Sequence, residues 1–255
     1  MDINIIGFGL MGKQIASLLY LSSCNVHIHT QNDNANSLFD RQVKLLKRSM
    51  DEFSEGSVKF YSDISDMPNV ATIESVVEDI DVKRSIYKKV RRTNNCDYYT
   101  NTSSYSPDEI SEDVQGLHFF NPISLGLVEV SVSDIESSLI EKIKGLGFEV
   151  VSVNKNRGYI GNYILFHEIS SALKLVEKFN YSVEKINQVY SKLYAKRDIF
   201  FIIDIIGVDV VFKILTNLKE DDETIYMPSL LTTALEKGVL GKKNKTSIKS
   251  VINEL

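Results

Sequence analysis

Hydrophobic and polar positions follow two alternating patterns along the first half of the chain. Short runs rich in β-branched residues are separated by longer segments whose apolar positions recur at helical spacing. This order is typical of parallel strands joined by helical crossovers. It predicts strands at 4–6, 25–29, 58–61, 71–77, 97–101, 116–120, 127–132 and 148–153, and helices through 15–20, 37–50 and 82–90.

The pattern changes after about residue 154, because the remaining segments are helical in period. They predict helices at 163–179, 183–194, 199–215 and 227–238. The run 199–215 is as rich in Ile and Val as a strand, but its length favours one buried helix. The expected fold class is therefore α/β, with an N-terminal Rossmann-type doubly wound sheet over 1–156 and an all-α domain over 157–255.

Composition and charge narrow the class of protein. A chain of 255 residues with 43% hydrophobic residues can bury a full core. With 29 basic against 34 acidic residues and no dense basic block, we expect no nucleic-acid partner. Two cysteines are too few for a disulfide framework. We see neither a basic leader nor an apolar run of about 20 residues, so we expect a cytoplasmic protein with no membrane partner.

A glycine-rich turn follows the first predicted strand and opens the first helix. Gly7, Gly9 and Gly12 form G-x-G-x-x-G, with Leu10 and Met11 inside the motif. In this context the motif predicts a dinucleotide site, with the pyrophosphate at the helix N-terminus. The alternative is a tight turn with a purely structural role.

The end of the second predicted strand bears on the choice of cofactor. Thr30 stands where an acid that binds the adenosine ribose is expected, and no Arg or Lys follows closely enough to favour a 2′-phosphate. We therefore expect NAD rather than NADP.

Two ionisable residues lie in segments that otherwise have the composition of buried strands. Glu129 stands among Leu127, Val128 and Val130, and a carboxylate there requires a partner. His118 is the natural candidate, because a neighbouring carboxylate raises the basicity of imidazole and fixes its tautomer. A single histidine in a strand is otherwise most often a structural residue.

Eight segments in the same order resemble the L-3-hydroxyacyl-CoA dehydrogenases, also called 3-hydroxybutyryl-CoA dehydrogenases. They are 7-GFGLMG-12, 73-IESVVEDIDVK-83, 101-NTSS-104, 117-LHFFNP-122, 127-LVEV-130, 158-GYIGN-162, 204-DIIGVD-209 and 228-PSLLTTALEKGVLGKK-243. The resemblance implies an oxidoreductase of fatty acid metabolism that transfers a hydride between NAD(H) and C3 of a 3-hydroxyacyl thioester. It also implies an active site in the cleft between the two domains.

The resemblance assigns roles to individual residues. His118 is the general base, and Glu129 orients its imidazole. Ser103 and Asn162 form hydrogen bonds around the substrate oxygen and the imidazole. The remaining matched positions are those that contact NAD, namely Glu78, Lys83, Asn121 and Lys243. The alternatives are that Ser103 caps a helix at 107–110 and that Glu78 and Lys83 form a solvated pair.

Further expectations concern the substrate and the assembly. Lys44, Lys47 and Arg48 on the predicted helix 37–50 are candidates for the phosphates of coenzyme A, although such a face is ordinarily only solvated. The segments 196–202 and 244–249 depart from the family pattern, as does Thr30, so the thioester carrier is either coenzyme A or a carrier protein. Half-exposed apolar helices in the second domain indicate a homodimer.

Two other functions remain open at this stage. One is a β-hydroxyacid dehydrogenase of the phosphogluconate type, which uses a lysine on the first long helix after the nucleotide domain. Here that helix offers Asn162, and no lysine before Lys174. The other is an NAD(H)-binding homologue without catalytic activity.

Overall fold

The computed structural model describes residues 1–50, 52–194 and 197–254. Its chain divides into two compact units, Met1–Tyr159 and Ile160–Leu255. The domain boundary expected after residue 156 stays a prediction. Of the divergent segment 196–202, the first residue, Lys196, lies outside the described residues.

The first unit is built on one eight-stranded sheet with the strand order β3-β2-β1-β4-β5-β6-β7-β8. Neighbouring strands are parallel throughout, except that β6 and β7 are antiparallel. The strands are β1 Asp2–Ile6, β2 Asn25–His29, β3 Ser57–Tyr61, β4 Thr72–Glu74, β5 Tyr98–Thr100, β6 Gln115–Phe119, β7 Leu127–Ser131 and β8 Glu149–Ser152. The predicted doubly wound α/β fold is confirmed.

Helices cover both faces of this sheet. They are α1 Leu10–Tyr20, α2 Ala35–Lys47, α3 Ile80–Val90 and α4 Ser138–Gly145. Apolar residues of α1, α2 and α4 pack with Ile3 and Ile5 of β1 in one core. The next strand residue, Ile6, points to the opposite face, where it joins a second core with Val90 of α3. This division follows from the two-residue period of a strand.

The order of the strands reverses at β1. Its neighbours are β2 on one side and β4 on the other. In an open α/β sheet this reversal leaves a crevice at the carboxyl ends of the strands, where ligands bind. The turns that begin at Gly7 and Ser75 lie at this point.

The second unit is helical, as expected from the sequence. Its helices continue the numbering as α5 Tyr159–Phe179, α6 Val183–Leu193, α7 Ile199–Ile206, α8 Val208–Asp221, α9 Ser229–Glu236 and α10 Ile248–Ile252. The first residue of α5, Tyr159, belongs to the first unit. Buried residues of all six form one apolar core. Among the described residues, no helix has the length and hydropathy needed to span a membrane.

One predicted element of this unit is wrong. The run 199–215 is not one helix, because α7 ends and α8 begins at Gly207. Gly207 has φ +101, a conformation that L side chains rarely adopt and that no α-helix contains. Because the residues on both sides of Gly207 are apolar, a prediction based on the length of the run did not reveal the break.

Candidate active site

The His118–Glu129 pair is produced by strand register. In the antiparallel ladder of β6 and β7, His118 lies directly opposite Glu129. Residues opposed in this way point to the same face of the sheet, within side-chain reach of each other. The Nδ1 atom of His118 lies 3.0 Å from the Oε2 atom of Glu129, and each side chain is 5% exposed. The buried carboxylate of Glu129 therefore has the partner that its burial requires.

Aromatic rings enclose the imidazole of His118. The ring of Tyr159 stacks on it with 8° between the planes and 5.1 Å between centroids. The ring of Phe120 is tilted at 52°, with its centroid 4.7 Å away. Because an ionised carboxylate only accepts hydrogen bonds, Nδ1 carries the proton that binds Glu129. The lone pair of a neutral His118 therefore lies on Nε2.

A second ionic cluster lies at the carboxyl end of β4. The Nζ atom of Lys83 lies 3.0 Å from Oε1 of Glu74 and 3.2 Å from Oε2 of Glu78. The side chains of Lys83 and Glu74 are 1% and 0% exposed. Burial lowers the pKa of Lys83, but the two carboxylates outweigh burial and raise it above its ordinary value. Lys83 is therefore a buried cation, and the alternative of a solvated Glu78–Lys83 pair is wrong.

Glu78 organises the loop that carries Ser103. It accepts hydrogen bonds from the backbone N–H groups of Ser103 and Ser104, both at 2.8 Å, and from the Thr102 hydroxyl at 2.6 Å. Burial raises the pKa of Glu78, but Lys83 and these donors lower it to about 2. The carboxylate therefore stays ionised and holds the loop at a fixed position.

The alternative role for Ser103 as a helix cap is also wrong. The 3₁₀-helix Pro107–Glu109 begins after Ser106, which forms a capping box with Glu109. The backbone N–H of Ser103 is directed to Glu78 instead.

The glycine-rich turn meets the requirements of a pyrophosphate site. Gly7 has φ +98, and a Cβ on Gly12 would lie 1.9 Å from the Gly7 carbonyl oxygen, so the strand–helix turn admits no side chain at either position. A Cβ on Gly9 would meet nothing within 4 Å, so the backbone there is open to a ligand. Gly9 precedes α1 and supplies no side-chain cap, and the first turn contains no acid. The backbone N–H groups at the start of α1 and the positive end of its helix dipole therefore suit an anion.

Other predicted cofactor residues surround this turn. Leu10 is 59% exposed at the start of α1. Asn121 accepts a hydrogen bond at 3.3 Å from the side-chain amide of Gln14, also on α1. Thr30 follows β2, and its hydroxyl accepts a hydrogen bond from the backbone N–H of Asn32 at 3.1 Å. The roles of these residues in binding NAD stay predictions.

Two predicted site residues belong to the helical unit. Asn162 is buried on α5. The ammonium of Lys243 binds both carboxylate oxygens of Asp209, at 2.8 and 2.9 Å. Lys243 is therefore an ion-pair partner within its own unit, and its contact with NAD stays a prediction.

The three basic residues suggested for coenzyme A differ in their surroundings. Lys44 and Arg48 are exposed, at the end of α2 and just beyond it. Lys47 forms an ion pair with Glu55 and lies over the ring of Phe53, 4.7 Å from its centroid. Lys44 and Arg48 are therefore freer than Lys47 to meet a phosphate.

Reasoning from the sequence missed two residues of this site. Glu74 lies in the motif 73-IESVVEDIDVK-83, and only its complete burial distinguishes it from a surface acid. Tyr159 lies in 158-GYIGN-162, and its stacking on His118 is a tertiary contact that no periodicity indicates.

Both parts of the chain are similar to known dehydrogenases. Residues 2–155 match the NAD-binding domain of 3-hydroxyacyl-CoA dehydrogenase, and residues 158–250 match its C-terminal domain. A 3-hydroxybutyryl-CoA dehydrogenase of Clostridioides difficile is 30% identical, over 96% of this chain and 97% of that protein. The human mitochondrial hydroxyacyl-coenzyme A dehydrogenase is 27% identical, over 94% and 88%.

Solved structures show the same architecture. FadB2 of M. tuberculosis has a TM-score of 0.82 and 25% identity, and the match covers 96% of this chain and 97% of FadB2. The (S)-3-hydroxybutyryl-CoA dehydrogenase of Ralstonia eutropha has a TM-score of 0.78 at 24% identity, covering 97% of both chains. The match is to the 3-hydroxyacyl-CoA dehydrogenase family, and the phosphogluconate-type alternative is therefore set aside. This chain belongs to the 3-hydroxyacyl-CoA dehydrogenase family, whose N-terminal domain binds NAD.

Proposed function

We propose that this protein interconverts 3-hydroxyacyl and 3-oxoacyl thioesters with NAD(H), using His118 as the general base. The observation that carries the proposal is the 3.0 Å contact between His118 and Glu129 in a nearly fully buried position. Relatives named as 3-hydroxyacyl-CoA and 3-hydroxybutyryl-CoA dehydrogenases support the choice of substrate class.

The pair has the properties that this reaction requires. In the oxidation direction, Nε2 of His118 takes the proton of the 3-hydroxyl group, and in the reduction direction it returns that proton. Glu129 stabilises the imidazolium that forms and keeps Nδ1 protonated. When bound, NAD(H) supplies the oxidising or reducing equivalents for C3 of the substrate.

Two further residues are proposed to position the substrate. The hydroxyl of Ser103 hydrogen-bonds the substrate oxygen, from a loop that Glu78 holds in place. The amide of Asn162 does the same from α5. Neither side chain titrates near neutral pH, so both orient the reacting groups without competing for the proton.

The thioester carrier is proposed to be coenzyme A, with carrier-protein phosphopantetheine as the second possibility. The exposed Lys44 and Arg48 are the candidate contacts for phosphate groups. A carrier protein presents a phosphopantetheine arm without the nucleotide phosphates. A Lys44→Ala, Arg48→Ala variant therefore loses affinity for the coenzyme A substrate more than for the carrier-bound one.

The function is tested with NADH and acetoacetyl-CoA, or the matching carrier-bound 3-oxoacyl group, by following the loss of NADH absorbance. We expect turnover with at least one of the two substrates. Binding of NADH is measured separately by calorimetry. Binding without turnover on either substrate would contradict the proposal and leave the non-catalytic NAD-binding function.

A further inference from the structure

The hydroxyl end of the Tyr159 ring lies over a second cross-strand pair beside His118–Glu129. Gly116 and Ser131 are the next residues that face the same side of β6 and β7, and they are also directly opposite each other. A Cβ on Gly116 would lie 2.5 Å from the Tyr159 hydroxyl oxygen and 2.3 Å from that of Ser131. The absence of a side chain at Gly116 therefore makes the space that the tyrosine hydroxyl fills.

The backbone of Tyr159, which carries this ring, has a strained conformation. Its φ is +50, a region that aromatic residues rarely occupy. Such a conformation persists only where the surrounding structure determines it. Here the preceding segment is clamped, since the guanidinium of Arg157 binds both oxygens of Glu109 at 2.8 Å and the carbonyl of Lys155 accepts a hydrogen bond from Ser106 at 2.8 Å.

The stack constrains a degree of freedom that Glu129 leaves open. A single contact at Nδ1 fixes one atom of the imidazole but permits the ring to tilt about that contact. A parallel ring against its face sets the plane and hence the direction of Nε2. The π-face also attracts the imidazolium electrostatically, because the face of an aromatic ring is negative.

We propose that Tyr159 is a positioning residue for His118: its ring sets the plane of the imidazole and stabilises its cation, and the space over Gly116, beside Ser131, accommodates its hydroxyl. The inference rests on the proposed role of His118 as the base. The phenol of Tyr159 itself stays protonated, since burial and the neighbouring carboxylates raise its pKa far above the physiological range.

The first test separates the ring from the hydroxyl. In Tyr159→Leu we expect kcat for acetoacetyl-CoA to fall about tenfold or more while KM changes less than about threefold, because orientation of the base is lost and binding is not. Tyr159→Phe keeps the ring and retains most of kcat. As a matched control, Tyr181→Leu removes an exposed tyrosine of the helical unit and leaves kcat unchanged.

The second test moves the ring without altering it. Gly116→Ala places a methyl group against the Tyr159 and Ser131 hydroxyls, so we expect kcat to fall as in Tyr159→Leu. Adding Tyr159→Phe and Ser131→Ala removes both of those atoms, leaves Pro107 Cγ at 3.2 Å as the closest remaining contact, and restores kcat. No rescue in a variant whose circular dichroism and melting curve match the native protein would contradict the seat proposed for the hydroxyl.

A spectroscopic readout keeps this inference separate from the proposed function. In ¹⁵N-histidine-labelled protein at alkaline pH, His118 should show one neutral tautomer with the proton on Nδ1, assigned by comparison with His118→Gln. In Tyr159→Leu we expect the ring signals of His118 to broaden while the tautomer stays the same, because the imidazole can tilt about its contact with Glu129. Unchanged line widths together with native kcat would overturn the inference, whereas broadened signals in Tyr159→Leu, with a native protein that is inert toward both thioesters, would overturn the proposed function alone.

Discussion

At the scale of single residues, the site depends on where strand register places a few side chains. His118 and Glu129 are 11 positions apart in the sequence. The β6–β7 ladder nevertheless sets them directly opposite each other. A slip of one residue would turn one of the two side chains to the other face of the sheet. The types of these residues indicated the pair from sequence, but only the register shows that they meet.

The adenosine end of the nucleotide site offers a test at one residue. Thr30 lacks the carboxylate that binds a ribose 2′-hydroxyl. In Thr30→Asp we expect the Kd for NADH to fall about tenfold, since a hydrogen bond to a charged group is worth about 1.5–3 kcal/mol, and the Kd for NADPH to rise through repulsion of its 2′-phosphate. Fluorescence titration measures both.

Thr30→Asn is the matched neutral control for this experiment and should change the two constants much less. Tighter binding of NADPH in Thr30→Asp would mean that the ribose does not lie at the end of β2.

At the scale of elements, the sequence predicted the strands well, because β-branched runs between helical segments have few alternative structures. It did not predict the break at Gly207, whose neighbours are apolar on both sides. It also missed α4, a short helix of eight residues. The contact of Lys83 with the cofactor stays a prediction. Its burial between Glu74 and Glu78 was not predicted, because it depends on the tertiary contact between α3 and β4, which one sequence does not display.

The ion pairs around Lys83 predict how stability changes with pH. The pKa of Glu78 is about 2 in the folded protein, below its ordinary value of 4.5. A carboxyl group whose pKa is lowered by folding stabilises the folded state fully at pH values above its ordinary pKa. This stabilisation is lost as the pH falls toward the pKa of the group in the folded protein. Between about pH 5 and pH 2 we therefore expect the free energy of unfolding to fall more steeply in the native protein than in Glu78→Gln.

Urea unfolding at a series of pH values measures this difference. The comparison isolates Glu78, because the other carboxyl groups are common to both proteins. Parallel curves for the two proteins across this range would show that Glu78 is not ionised against Lys83.

At the scale of the whole molecule, exposed apolar side chains indicate a partner. Phe201 and Ile205 are 45% and 49% exposed and lie one turn apart on α7. Val189 and Leu193, also about one turn apart on α6, are 62% and 69% exposed. Apolar residues repeated along a helix face favour association. We therefore expect a second copy of the chain to cover them.

Light scattering after gel filtration tests this expectation. We expect a dimer for the native protein and a monomer for Phe201→Glu, Ile205→Glu. Lys88→Glu, at an exposed site on α3, is the charge-changing control and should remain a dimer. A native monomer at micromolar concentration would contradict the expected homodimer.

The most direct test of the proposed chemistry is the rate of NADH oxidation by acetoacetyl-CoA in His118→Gln compared with the native protein. Loss of a general base predicts a fall in kcat of about 10²–10⁴-fold, with the Kd for NADH within about twofold of the native value. Full turnover by His118→Gln would show that this imidazole is not the base.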